Sequence, residues 1–218
     1  MGVPLDVTEW MKGYVGFGAT DCDAGFIQGF DEGTYFEHEV VIHMEDIDRF
    51  VSEPTHTARM DGSIFCERLG GRRAFQGGTF NMLVDDKNPL LKFMFYRMPF
   101  TDGSGVAHTV LGHKTIENAH ALDLLNRIMT LSIRIFKGDV TGPDMTTPAM
   151  GPASYGGATP IAMGVIHIQT LDAFKSAASF ASPKGTLLEA AEAVDKFGSF
   201  YLDKLWDVYG VGHKSQRS

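Results

Sequence analysis

Apolar and polar residues alternate along much of the chain with a period of two. From Tyr35 to Met44, Phe36, Val40, Ile42 and Met44 share one face with His38, while Tyr35, Glu37, Glu39 and His43 share the other with Val41. Such alternation predicts a half-buried strand. Residues 60–68 repeat it, with Met60, Gly62, Ile64 and Cys66 on one face. Gly70-Gly71 then gives a hairpin signal, and residues 72–85 read as the return strand, with Gly77-Gly78 as a bulge or bend. Asp85-Asp86-Lys87-Asn88-Pro89 is a turn by its residue types. Residues 91–100 are apolar on both faces, which marks a strand covered on both sides. Further strands are predicted over 106–117, 128–137 and 161–169, with Met129, Leu131, Ile133 and Ile135 on one face of the second of these.

Helical periods are fewer. Thr186-Leu187-Leu188-Glu189 has the form of a capping box and opens a helix over about 186–209. Its apolar stripe reads Leu187, Ala191, Val194, Gly198, Tyr201, Leu205 and Val208, opposite Glu192, Lys196, Ser199 and Asp203. Residues 5–12 read as a short amphipathic helix with Thr8 as N-cap. Residues 13–33 are glycine-rich and read as an irregular covering segment. Short helical turns are expected over 45–51, before Pro54, and over 118–126. The stretch 138–160 is rich in Gly, Pro, Thr and Met, and a loop of that length suggests a lid.

The total is about seven strands in an antiparallel meander, closed by a terminal helix. A meander must hide its edges. The expectation is therefore a mainly β fold, a calycin-like antiparallel β-barrel with a long C-terminal helix. The alternative is a helix-grip α+β fold. No repeat or linker divides residues 1–218, so one domain is expected.

Composition adds constraints. The chain has 218 residues, 44% hydrophobic and 21% charged, an ordinary globular balance. A net charge of −8 disfavours nucleic acid and anionic membrane surfaces as partners. Cys22 and Cys66 lack CxxC spacing, so no metal site or disulfide scaffold is expected. The opening residues lack a charged and apolar leader, and no apolar run is long enough to span a membrane; a cytoplasmic protein is expected by default. Gly13, Gly16 and Gly18 do not follow a strand in the order of a dinucleotide fingerprint, so no cofactor is expected. Eleven Met and sixteen Phe suit either a core of flexible gap-fillers or the walls of an apolar pocket.

Gly33-Thr34, Met44-Glu45-Asp46-Ile47-Asp48-Arg49-Phe50, Leu69-Gly70-Gly71, Gly78-Thr79-Phe80-Asn81, Tyr96-Arg97 and Gly112-His113-Lys114 follow one another in that order. In this the chain resembles a bacterial module, the accessory region attached to cholesterol-oxidase-like (GMC-type) flavin oxidoreductases. The resemblance implies a sterol-like or lipidic ligand and an oxidoreductase partner. It does not bring the oxidation chemistry, because the flavin enzyme's own fingerprint is absent. After Asp123 the chain departs from that pattern and reads Leu124-Leu125-Asn126-Arg127-Ile128-Met129.

Candidate chemistry is sparse. His38 lies on an apolar strand face, where a histidine is ordinarily a satisfied core residue but serves as acid or base if it lines a pocket. Tyr96 and Lys114 fall on neighbouring strands. They are either a cross-strand pair or a proton donor and a desolvated base. The expected catalytic set is His38, Tyr96 and Lys114. The expected wall is Phe36, Met82, Met94, Met98, Phe100, Arg134 and Met163. Arg97 and Arg134 call for carboxylate partners, for which Glu37, Glu39 and Asp123 are candidates. His108, His113 and His167 lie on different strands and lack a ligand motif. Ser63 and Ser132 lack a nucleophile elbow.

Two functions fit. One is a cofactor-independent isomerase or cyclase acting on a hydrophobic terpenoid or steroid-like substrate in the barrel cavity. The other is a non-catalytic lipid carrier or accessory module. Titratable groups within hydrogen-bond reach of one another in the pocket favour the first; a purely apolar pocket favours the second.

Overall fold

The structure, a computed structural model, describes residues 2–117, 126–143, 155–168 and 187–214. Its eight strands are β1 (Leu5–Phe17), β2 (Tyr35–Met44), β3 (Thr57–Cys66), β4 (Gly71–Asp85), β5 (Leu91–Thr101), β6 (Ala107–Glu117), β7 (Thr130–Lys137) and β8 (Ala162–His167). Each pairs antiparallel with the next, and β8 returns to β1, closing a calycin-like barrel. Helix α1 (Cys22–Glu32) follows β1, α2 (Ile47–Ser52) follows β2, and α3 (Leu187–Lys214) ends the described chain. Closure excludes the helix-grip alternative. Among the described residues no helix is long and apolar enough to cross a membrane.

The first 33 residues depart most from the sequence reading. Residues 5–12 are not a helix. They belong to β1, which pairs with β2 from Leu5↔Met44 to Tyr14↔Tyr35 and with β8 from Lys12↔His167 to Phe17↔Ala162. Thr8 is thus a strand residue, and the meander has eight strands where about seven were expected. Residues 13–33 are not irregular either: they hold the end of β1 and all of α1. The Asp21 carboxylate caps α1 by accepting from the Ala24 N–H at 2.8 Å, and Gly33 ends it in the left-handed conformation.

The glycines of this region serve close approach. A Cβ on Gly25 would meet the Met163 carbonyl oxygen at 2.1 Å, and one on Gly29 the Val15 carbonyl at 2.5 Å. One turn apart, they let α1 lie directly on the outside of β1 and β8. The hairpin glycines behave as expected. Met60 pairs with Gly78 but Gly62 pairs with Phe75, so β4 bulges at Gly77, whose N–H donates to Asp61 at 3.0 Å.

Alternation sorts the barrel interior from its exterior. Phe36, His38, Val40, Ile42 and Met44 point inward from β2 and are buried. Leu131, Ile133 and Ile135 point inward from β7, which begins at Thr130 rather than 128. Residues 126–129 are helical, and the rest of the turn expected over 118–126 lies outside the described residues. Of the expected lid over 138–160, the described ends lie on the barrel flank. Val140 and Tyr155 pack with Leu111 and Phe136 outside β6 and β7; residues 144–154 lie outside the described residues.

Helix α3 crosses one mouth of the barrel. Its buried residues are Ala193, Phe197, Phe200 and Val208; of the stripe expected from the sequence, Val208 is buried and Tyr201 and Leu205 pack partly buried against the core, while Ala191 and Val194 are exposed. The buried face extends toward Phe197 and Phe200 because both find aromatic partners: both pack on Phe50 of α2, and Phe200 meets the His56 ring at 4.6 Å. Thr186 of the capping box lies outside the described residues. Ion pairs fix the same edge of the helix. Lys204 reaches Asp85 at 2.8 Å, Lys196 pairs with Asp48, and the buried Lys92 pairs with Asp85 and lies 3.7 Å from Asp207.

Candidate functional site

Beneath α3 the barrel is hollow. A cavity of about 450 Å³ is bounded by Val7, Ile42, Phe80, Met82, Met94, Ile128 and Ile168 from the barrel and by Val194, Phe197, Tyr201 and Leu202 from the helix. This volume falls in the usual range for small-molecule sites. Its walls are almost wholly apolar, and the polar exceptions gather at the floor: Glu9, Tyr96 and Lys114, with Thr8 at the side.

The floor is built by strand register. Glu9 points inward from β1, in line with Leu5, Val7 and Met11. Tyr96 lies opposite Gly112 on the β5–β6 ladder, and Lys114 opposite Met94, so the two side chains meet diagonally inside the barrel rather than as a directly opposed pair. The Tyr96 hydroxyl donates to Glu9 Oε2 at 3.2 Å. Lys114 Nζ reaches the same oxygen at 3.5 Å, donates to the Ile128 carbonyl at 2.8 Å, and lies 5.4 Å from the centre of the Tyr96 ring. Phe80 packs edge-on against Tyr96 at 4.8 Å.

His38 sits one layer deeper. Its Nε2 is 3.4 Å from Glu9 Oε1, and its ring stacks with Tyr96 at 6.2 Å. The separation permits ion pairing, but the alignment makes no hydrogen bond: both ring nitrogens of His38 and Glu9 Oε1 are buried without a hydrogen-bond partner. A buried histidine in a core is ordinarily satisfied; His38 is not. The Glu9 carboxylate therefore lies between two groups, with one oxygen toward His38 and the other toward Tyr96 and Lys114.

Burial disfavours the charged form of each group. For Glu9 burial pushes the pKa up, but the Lys114 charge, with the His38 and Tyr96 contacts, outweighs it and holds the carboxyl at about 2. Burial lowers the Lys114 pKa, and the Glu9 charge opposes that without cancelling it. Tyr96 is pushed well above its ordinary value by burial, and next by the Glu9 charge. Tyr201 on the helix is raised for the same two reasons, so Glu9 acts on both the floor and the roof of the cavity.

The three residues expected to be catalytic, His38, Tyr96 and Lys114, thus converge on Glu9, which the sequence reading missed. The signal was present: Leu5, Val7, Met11 and Val15 keep one parity, and Glu9 is the charged residue on that apolar face. Of the expected wall, Met82 and Met94 line the cavity. Phe36, Met98 and Phe100 lie deeper, in the filled end of the barrel. Arg134 and Met163 pair across β7 and β8 on the outer face. There Arg134 donates to His113 Nδ1 at 3.2 Å, and burial with the Arg134 charge depresses the His113 pKa to about 4.

Arg97 pairs with Asp139 and donates to the Val140 carbonyl at 2.9 Å, not with Glu37 or Glu39. Asp123 lies outside the described residues. His108 stacks on Phe100 at the filled end, and His167 meets Thr130, so the three strand histidines lie apart. Among the described residues no three His, Cys, Asp or Glu side chains gather as metal ligands, and Cys22 and Cys66 are free and buried.

No protein-family model, no curated protein and no solved structure matches this chain.

Proposed function

We propose that the barrel is an isomerase- or cyclase-type enzyme that moves a proton within a hydrophobic terpenoid or steroid-like substrate, with its own side chains as acid and base. The observation that carries this reading is the Glu9–Lys114 pair, 3.5 Å apart, with Tyr96 at the floor of an otherwise apolar cavity. Burying charges costs several kcal/mol per ion before pairing, roughly. An apolar floor would be as stable, so a charged cluster that faces a cavity argues for chemistry.

The roles follow from the hydrogen-bond inventory. An ammonium has three N–H groups. Lys114 directs two of them at Glu9 and Ile128, which leaves one for a substrate oxygen. A substrate that draws Lys114 away from Glu9 weakens the largest interaction that lowers the carboxyl pKa. Burial then makes Glu9 a stronger base at the moment substrate arrives. Tyr96, held protonated by its raised pKa, remains a hydrogen-bond donor. The apolar walls exclude water from the transfer.

A second reading is a carrier that binds without turnover. It is favoured by the low resting pKa of Glu9, which makes the empty-state carboxylate a weak base. The resemblance to an oxidoreductase accessory module agrees with either reading in pointing to lipidic ligands. One experiment separates them. The protein is incubated with a lipid extract in D₂O, and bound compounds are identified by mass spectrometry. Deuterium in the recovered ligand, lost in Glu9→Gln while binding persists, supports the enzyme. A bound but unlabelled and unaltered ligand leaves the carrier. No bound ligand removes both.

A further inference from the structure

We propose that Lys114 captures an apolar aldehyde as a Schiff base at the floor of the cavity, with Glu9 as counter-ion to the protonated imine. The inference rests on the cavity taking a hydrophobic ligand, as above, but adds a nucleophile and a reacting group.

Four features meet at Lys114. Its Nζ ends in the apolar cavity, so a bound aldehyde delivers its carbonyl carbon to the amine while its chain fills the space under α3. Burial lowers the amine pKa, which favours the neutral nucleophile. A carboxylate oxygen lies 3.5 Å away, within reach to take the ammonium proton and later to face the iminium. The Tyr96 hydroxyl, 3.2 Å from that same oxygen, can donate to the carbinolamine oxygen as it leaves.

The step balances. The lysine ammonium gives a proton to Glu9, and the neutral nitrogen attacks the carbonyl carbon to form a C–N bond. Protons then move from nitrogen and Glu9 to the carbonyl oxygen, the C–O bond breaks, and water leaves. An ammonium and an aldehyde become an iminium and water. One positive charge stands opposite Glu9 before and after, so the buried charge balance is unchanged by the reaction. That is the property a low-dielectric site needs.

The test uses farnesal, a conjugated terpenoid aldehyde, with farnesol as the non-reactive match in shape. The full chain is incubated with farnesal, reduced with cyanoborohydride, and measured by intact mass and peptide mapping. A single farnesyl adduct that maps to Lys114, suppressed by farnesol and lost in Lys114→Arg, supports the inference; the arginine keeps the charge but cannot form the imine. A red-shifted absorbance before reduction, lost in Glu9→Gln, identifies the counter-ion. Because mapping is done on the unaltered chain, the result stands even if a variant fails to fold. Farnesol binding with no farnesal adduct, or adducts spread over surface lysines, overturns the Schiff base and leaves the proton-transfer reading in place. If neither compound binds, both fall.

Discussion

The two ends of the barrel interior use the same strands in opposite ways. At one end Phe36, Ile64, Met98, Phe100, Val110 and Ile135 fill the lumen and are buried. At the other, β2, β5 and β6 again, now with β4, present Ile42, Phe80, Met82, Met94 and Lys114 to an open cavity under α3. Hydrophobicity does not distinguish the ends, since both are rich in Met, Phe and Ile. The boundary is polar: Glu9, His38, Tyr96 and Lys114 form the layer between packed core and empty space. Charge marks where packing stops.

The largest effect expected is therefore at that boundary. Lys114→Met leaves the Glu9 carboxylate buried without its main cation, and breaking a buried pair in this way costs about 3–5 kcal/mol. The double variant Glu9→Leu/Lys114→Met removes both charges and should recover most of that loss in urea unfolding. A double variant no more stable than the single one would mean that the two residues do not act as a pair.

Next come the two methionines of β5. Met98 stands in the filled end, so Met98→Ala opens a new void and should cost about 2–5 kcal/mol. Met94 already borders the cavity, and Met94→Ala should cost nearer to about 1 kcal/mol. Equal costs would mean that the cavity end is as tightly packed as the closed end.

The acid limb of stability sharpens the same boundary. The folded pKa of Glu9, about 2, lies below its ordinary 4.5. The folded state thus binds fewer protons than the unfolded chain in that range, and the contribution is full above pH 4.5 and lost as pH falls toward 2. The difference in unfolding free energy between the native chain and Glu9→Gln should shrink across that window. A constant difference would show that Glu9 is not held ionised.

Most of this barrel was legible from alternation, because strands with one buried face keep a strict period. Strands β2 to β8 follow it within a few residues. The failure at β1 has a physical cause at the site itself. Its inward parity runs Leu5, Val7, Glu9, Met11, Gly13, Val15, while Trp10 and Tyr14 occupy the outward parity. The charged residue that faces the cavity is what broke the strand signal, a local inconsistency of the kind that a packed core does not call for. The extension of α3's buried face to Phe197 and Phe200 was hidden for another reason: it is set by Phe50 and His56, which are remote in sequence. No local period could report that, nor that Arg134 and Met163 fall on the outer parity while Met82 and Met94 fall inside.

The smallest effect on stability concerns how the open end is closed. On one edge α3 is tied to the rim by Lys204–Asp85 and Lys196–Asp48, and both pairs are partly exposed. Exposed pairs contribute under about 1 kcal/mol each, so Lys196→Ala/Lys204→Ala should hardly move the unfolding midpoint. Its effect should appear in dynamics instead. The opposite edge of the helix, with Val194, Tyr201 and Leu202, borders the cavity, so loosening the tied edge lets the helix lift as a unit. Amide exchange over 193–208 should quicken while β2 and β5 stay protected, and farnesol should leave the cavity faster at little cost in fold stability. The filled end offers the control: Arg73→Ala, beside the Gly70 turn at that far end, should change neither exchange in α3 nor the rate of farnesol release. If α3 exchange stays at its native rate in the double variant, the Lys204–Asp85 and Lys196–Asp48 pairs have no part in closing the cavity, and the buried contacts of Ala193, Phe197, Phe200 and Val208, with the Lys92–Asp207 pair, hold the helix.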